Sequence, residues 1–264
     1  MTETYGVKGS VHRLEQRKHW NFPTESLNQK PNPHSFDVEF SPDGRILKRT
    51  DYTFGDEVYR STRFEYNDAG QLIRTAESNG EGAPVATSEL VYYEGKCVWT
   101  SRDALGVVTS RGVDEYVDER LTLSSANHAD GKPKLLKSFE YSEGKLSQSF
   151  SKYYGFTGGL SHLWVTSYDS AGRVAKTYGL KADGSPLGDG KYTYEYDAED
   201  RRTKVWSFND GEDVANAVTI SEYLVDENGN WTERTDSHRS KSDSKWRKNT
   251  TTRRLMYYAG GSSS

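Results

Sequence analysis

The sequence predicts an all-β protein: an antiparallel meander of about eight repeated β-hairpins forming one long, twisted or curved sheet. Three observations predict it. A turn signature recurs through the chain; a second set of breakers falls midway between its copies; and the segments between alternate apolar and polar residues. The signature is clearest at Tyr168-Asp169-Ser170-Ala171-Gly172-Arg173-Val174. An aromatic ends one run, an Asx and a glycine turn the chain, and a basic residue leads into the next apolar position.

The signature returns as Phe40-Ser41-Pro42-Asp43-Gly44-Arg45-Ile46 and Tyr66-Asn67-Asp68-Ala69-Gly70-Gln71-Leu72. Shorter copies are Tyr93-Glu94-Gly95-Lys96-Cys97 and Tyr141-Ser142-Glu143-Gly144-Lys145-Leu146. The copies at Tyr116–Leu121 and Tyr196–Arg201 lose the glycine, and the last is Val225-Asp226-Glu227-Asn228-Gly229-Asn230-Trp231. Their spacing of about 24 to 30 residues marks a repeat architecture. Breakers such as Gly55-Asp56, Asn79-Gly80, Asp130-Gly131 and Asp183-Gly184 divide each repeat into two short strands. Ser88–Tyr92 and Lys191–Tyr196 show the period-2 pattern of half-buried strands, and no segment of helical length carries a 3.6-residue period.

The ends join the same sheet. Gly6–Leu14 alternates like an opening strand, and Trp20–Ser35, with Pro23, Pro31 and Pro33, is expected as a loop outside the ladder. Trp246–Tyr258 reads as a closing strand, with Lys241, Arg247, Arg253 and Arg254 guarding an exposed edge. Residues 1–258 are thus expected as a single repeat domain, and residues 259–264 as a flexible tail.

Composition narrows the function. Only 33% of residues are apolar and mean hydropathy is −0.90, yet the chain holds 18 Tyr, 6 Trp and 9 Phe, so buried surface must come from amphipathic rings. The lone Cys97 excludes an intramolecular disulfide and suits a reducing compartment. With no apolar leader and no run long enough for a spanning helix, the expected location is cytoplasmic, with no membrane partner. A net charge of −4 argues against nucleic acid as a partner.

Catalytic constellations are not evident, and the expectation is a non-enzyme with no catalytic residues. The aspartates at 43, 68, 103, 118, 130, 169, 183, 197 and 226 sit where turns use Asx side chains. The six histidines show no close ligand spacing, so no metal and no cofactor is expected. Cys97, flanked by Val98 and Trp99, reads as a buried thiol. Gly184–Lys191 lacks the phosphate-loop frame and reads as a hairpin loop.

Departures from a repeat tend to mark function, and the largest is Lys152–Trp164. Aromatics and three glycines crowd a place where other units have a plain turn. Tyr153, Tyr154, Phe156, His162 and Trp164 are therefore expected to bind a partner, with Glu212 and Asp213 as an acidic rim.

The motif Tyr-Asp-x-x-Gly-Arg-Val resembles the YD repeats of the Rhs family, whose units build curved hairpin sheets in large toxin shells. The resemblance covers most of residues 36–236 and is closest at 168–174. The size and architecture are similar to those of the immunity proteins that accompany polymorphic Rhs toxins. It implies a cytoplasmic immunity protein that occludes a cognate toxin domain. The alternative is a carbohydrate-binding repeat protein using aromatic platforms on the sheet.

Overall fold

The fold follows from one turn used repeatedly. In a computed structural model, which describes residues 11–20, 30–188, 190–209, 214–243 and 245–257, every regular element is a strand. The first nine are β1 (Val11–Trp20), β2 (Pro31–Phe40), β3 (Ile46–Thr53), β4 (Val58–Tyr66), β5 (Leu72–Asn79), β6 (Pro84–Tyr93), β7 (Lys96–Asp103), β8 (Val108–Val117) and β9 (Arg120–His128). Then come β10 (Pro133–Ser142), β11 (Lys145–Tyr154), β12 (Leu160–Tyr168), β13 (Val174–Lys181) and β14 (Lys191–Tyr196). The last are β15 (Arg202–Phe208), β16 (Ala217–Val225), β17 (Trp231–Ser240) and β18 (Arg247–Tyr257).

Eleven connections share one geometry: the N–H of the first residue donates to the carbonyl of the fifth, and the N–H of the fourth returns to the carbonyl of the first. The turns beginning at Ser41, Asn67, Asp169, Asp197 and Asp226 have it, and so do those at Asn79, Asp103, His128 and Lys181. This is the three-residue hairpin whose fourth position needs a left-handed backbone. Gly172 sits there at φ 81°, and Asp200 takes the same place at 62° in a copy that lost its glycine. The opening Asx caps the loop: Asp169 Oδ1 accepts the N–H groups of Ala171 at 3.0 Å and Arg173 at 2.9 Å. Asp197 and Asp226 repeat the pattern. Shorter copies differ by design of the loop. Val117 pairs directly with Arg120 and Ser142 with Lys145, leaving two-residue turns with φ positive at Asp118, Glu119, Glu143 and Gly144.

The signature tyrosine ties one hairpin to the previous one. Tyr66, Tyr141 and Tyr196 each donate their hydroxyl, at 2.9 Å, to the carbonyl of Ile46, Leu121 and Val174 respectively. At the same three links a basic residue after the turn lies over that tyrosine ring: Arg45 over Tyr66, Arg120 over Tyr141 and Arg173 over Tyr196 at 4.9 Å. Arg173 also clasps its own Asp169 at 2.8 Å and reaches Asp200 of the following turn at 2.8 Å.

The expectation of an open sheet is overturned. The eighteen antiparallel strands close into a barrel, because β1 pairs with β2 on one side and with β18 on the other. Chain ends meet when each offers a strand whose free N–H and C=O groups would otherwise face water. The expected edge guard fails for the same reason. Arg253 bonds Gln16 Oε1 at 2.9 Å and lies 3.6 Å from the Trp231 ring centre, inside a paired strand. The expected loop at Trp20–Ser35 is corrected in part, since Pro31–Phe40 forms β2. Asn32 pairs with Tyr52 and Phe36 with Asp51, so Pro33, His34 and Ser35 bulge out and the prolines cost few ladder bonds. Residues 1–10, most of the expected loop and the 259–264 tail lie outside the described residues.

The chain divides into two compact units. One holds the described residues up to Thr87, Ser221–Ser237 and those from Arg247 on; the other holds Ser88–Ile220 and His238–Trp246. The first contains the main apolar cluster: Val11 and Leu14 of β1 with Phe36, Val38 and Phe40 of β2, against Ile46 and Leu255. Its opposite face is polar. Asp37, 4% exposed, accepts bonds from Arg13 at 2.6 Å, Arg17 at 2.7 Å and the Tyr52 hydroxyl at 2.8 Å. Burial alone would raise its carboxyl; these three donors outweigh burial and hold it below the ordinary value.

Two stability predictions follow from this packing. Asp169→Ala removes the loop cap and the Arg173 clasp, and should lower the midpoint of denaturant unfolding. The second concerns acid. Burial first, then Lys18 and Arg234, push the His34 imidazole down to about 4. His34 therefore binds its proton more readily when unfolded, and stability should fall as pH drops from about 6.5 to 4. Asp37, depressed when folded, adds a further loss below its unfolded value. Unfolding followed from pH 7 to 3 should show both losses, with His34→Gln removing the first.

Candidate functional site

The segment singled out by sequence is built on β11, β12 and the turn between them, in the second unit. Its backbone is no departure at all. Gly155 N–H donates to Gly159 O at 2.9 Å and Gly158 N–H to Gly155 O at 2.8 Å, the same turn used elsewhere. What differs is the side chains: glycine replaces the capping Asx, and Phe156 stands at the tip.

Cross-strand register sorts the expected residues. Tyr153 lies opposite His162, and Trp164 lies two residues along β12, so these three share one face. The Tyr153 and His162 rings stack at 4.6 Å between centres and 10° between planes, and Ser161 Oγ lies 3.1 Å from His162 Nδ1. Tyr154 follows Tyr153 and turns to the opposite face, pairing with Leu160 across a bulge. Trp164 is half-buried rather than presented. Its indole comes within 3.5 Å of where side chains on Gly179 and Gly190 would begin, so the glycines of β13 and the following loop make room for it.

Phe156 is 86% exposed and stacks on His128, 5.6 Å away at 28°. His128 was not foreseen: it closes β9 and opens the turn before β10. The signal that finds it is the repeat itself, because 156 − 128 = 28 residues is one period. The structure thus brings Tyr153, Phe156, His162 and His128 to one end of neighbouring hairpins. Tyr154 faces away, Trp164 packs, and Glu212 and Asp213 lie outside the described residues.

Other expectations map plainly. Cys97 is 1% exposed, and burial pushes its thiol up while Tyr92 donates to it. Burial, then Cys97, pushes the Tyr92 hydroxyl up to about 12. Among the described residues no three potential ligands converge on a metal position. Gly184–Lys191 belongs to a hairpin whose loop folds back, Leu187 N–H donating to Gly179 O at 3.0 Å. Among the described residues no helix is long and apolar enough to cross a membrane, which says nothing of strands. Charges do stand on both faces of the strands: Arg60 and Arg63 on β4, Arg74 and Glu77 on β5, Lys137 and Glu140 on β10. Neither face of these strands is the continuous apolar band that contact with lipid requires.

No family model matches the chain, and no curated protein matches it. Among solved structures it is similar to a porin-like protein from Bacteroides uniformis, at 15% identity and TM-score 0.49, over 94% of this chain and 98% of that one. It is also similar to part of TcdB2-TccC3-Cdc42 at 12% identity and TM-score 0.30, and of TcdB2-TccC3 at 11% and 0.30. It covers 13% and 18% of those two chains. All three scores fall below 0.5, and the fold described above rests on strand pairing.

Packing separates the two aromatic roles. Phe156→Ala should leave stability within about 0.5 kcal/mol of the parent, whereas Trp164→Ala should cost about 2 kcal/mol or more. Urea denaturation of the two variants measures both.

Proposed function

We propose that the chain is a non-catalytic binding protein that presents the Tyr153–Phe156–His162 end of its hairpins to a protein partner. The observation that carries this reading is Phe156, 86% exposed and stacked on His128, on the hairpin that also carries the Tyr153–His162 stack. An isolated apolar ring in water is tolerated; one stacked on a second ring at the end of a stiff hairpin suits an interface anchor. Rigid rings lose little conformational freedom on binding, and the paired strands beneath them hold the geometry beforehand.

The partner proposed is a toxin domain of the Rhs type, with the chain as its cytoplasmic immunity protein. Support comes from the signature motif and its Rhs-like resemblance, and from the exposed aromatic surface. Neutralisation is then steric: the hairpin end covers the toxin's active cleft. A carbohydrate platform would use the same rings.

Co-expression with the product of the neighbouring open reading frame tests this. The expected result is a stoichiometric complex and restored growth, with Phe156→Ala weakening the complex about tenfold or more while the protein stays folded. Binding unaffected by Phe156→Ala, or retention on a glycan array in place of toxin capture, would overturn it.

A further inference from the structure

On the polar face of the first unit, β3 and β4 set two cations opposite each other, unlike the hairpins with which they can be compared. Within a hairpin the cross-strand charges before the signature turn are complementary: Glu39 faces Lys48, Glu65 faces Arg74 and Glu195 faces Lys204. Between hairpins the equivalent lysines meet neutral partners, Lys176 opposite Thr193 and Lys204 opposite Ile220. Lys48, however, lies directly opposite Arg63. Like charges in that position repel and weaken a sheet.

Their surroundings do little to relieve this. Lys48 reaches Glu39 only at 3.9 Å, and Arg63 forms no ion pair among the described residues. Arg74, two residues along β5 from Ala76, which faces Arg63, adds a third cation to the same face, paired with the exposed Glu65 at 3.0 Å. The row beside them is small and hydroxylated: Ser61 faces Ser78. Lys48, Ser61, Arg63, Arg74 and Ser78 line a groove of about 520 Å³, whose one carboxylate among the described residues, Glu77, pairs with Arg60 at 3.4 Å. That volume is within the size range of small-molecule sites, and the groove's cations and hydroxyls are donors.

We propose that this groove binds a ligand bearing a tetrahedral oxyanion, a phosphate or sulfate group, seated between Lys48, Arg63 and Arg74 with Ser61 and Ser78 as further donors. The anion neutralises the Lys48–Arg63 repulsion, so the charge arrangement that weakens the empty sheet becomes the recognition element. Arginine offers a planar fork suited to such oxygens, and lysine a point charge. This site is independent of the Phe156 surface, which lies in the other unit.

The test is calorimetric titration of the whole protein with inorganic phosphate and with inorganic sulfate, at fixed ionic strength in chloride buffer. Saturable binding of either is expected, and the preferred anion identifies the source. The double variant Lys48→Gln/Arg63→Gln should weaken it about tenfold or more, while Lys145→Gln, in the other unit, should not. In anion-free buffer Arg63→Gln should melt at the same temperature as the parent or higher, because a repulsion is removed. No saturable binding, binding indifferent to the double variant, or a lowered melting temperature for Arg63→Gln would each overturn the proposal.

Discussion

The structure depends on the residue that follows each turn glycine. In Arg173 one guanidinium grips the aspartate that opens its own turn, lies over the tyrosine that ends the next strand pair, and reaches the next turn's Asp200. The tyrosine in return caps the carbonyl of the residue after the arginine. The hairpin that carries Tyr196 is thereby registered on its predecessor by charge, ring and hydrogen bond together. At Gly70 the Arg45 guanidinium lies 2.9 Å from where a Cβ would stand, whereas at Gly44 and Gly172 nothing lies within 4 Å. The constraint these glycines share is the left-handed backbone itself.

Such coupling matters because apolar burial is thin. The buried hydrophobic residues described are few, and five of them form one cluster between β1 and β2. That cluster sits where the ends of the chain must be joined. A meander of local hairpins closes most contacts at short sequence separation. Pairing β1 with β18 is the costly long-range step, and the apolar cluster lies on the strand that makes it. The Asp37 hub holds the other face of the same strands, with Arg13 and Arg17 of β1 gripping a carboxylate of β2.

What was legible in the sequence is what is local. Turn positions, the capping role of the aspartates, the strand character between them and the buried Cys97 all follow from short-range chemistry. What was not legible is set by register and closure. An open and a closed meander share every local signal, and no residue of β18 announces that β1 is its partner. Proline content argued for a loop where a three-residue bulge lets β2 keep its ladder. At Lys152–Trp164 the unusual composition was real, but the backbone absorbed it without change. Its consequence lay in Phe156 meeting His128 one repeat away. The opposition of Lys48 and Arg63 is likewise invisible until β3 and β4 are aligned.

A repeat makes such exceptions interpretable. Where Glu195 faces Lys204, the chain demonstrates how it pairs charges when only stability is at stake. Asp, Gly, Arg and Tyr recur because the turn and the link between turns need each of them. Residues that break the pattern without serving the turn need another explanation. Phe156 in place of a polar tip gains nothing for folding by being exposed. Arg63 opposite Lys48 costs folding something. The two exceptions differ in chemistry, one apolar and aromatic, the other cationic, and each stands on strands whose own geometry is ordinary. The proposed protein partner would be recognised through the first, and the proposed oxyanion through the second.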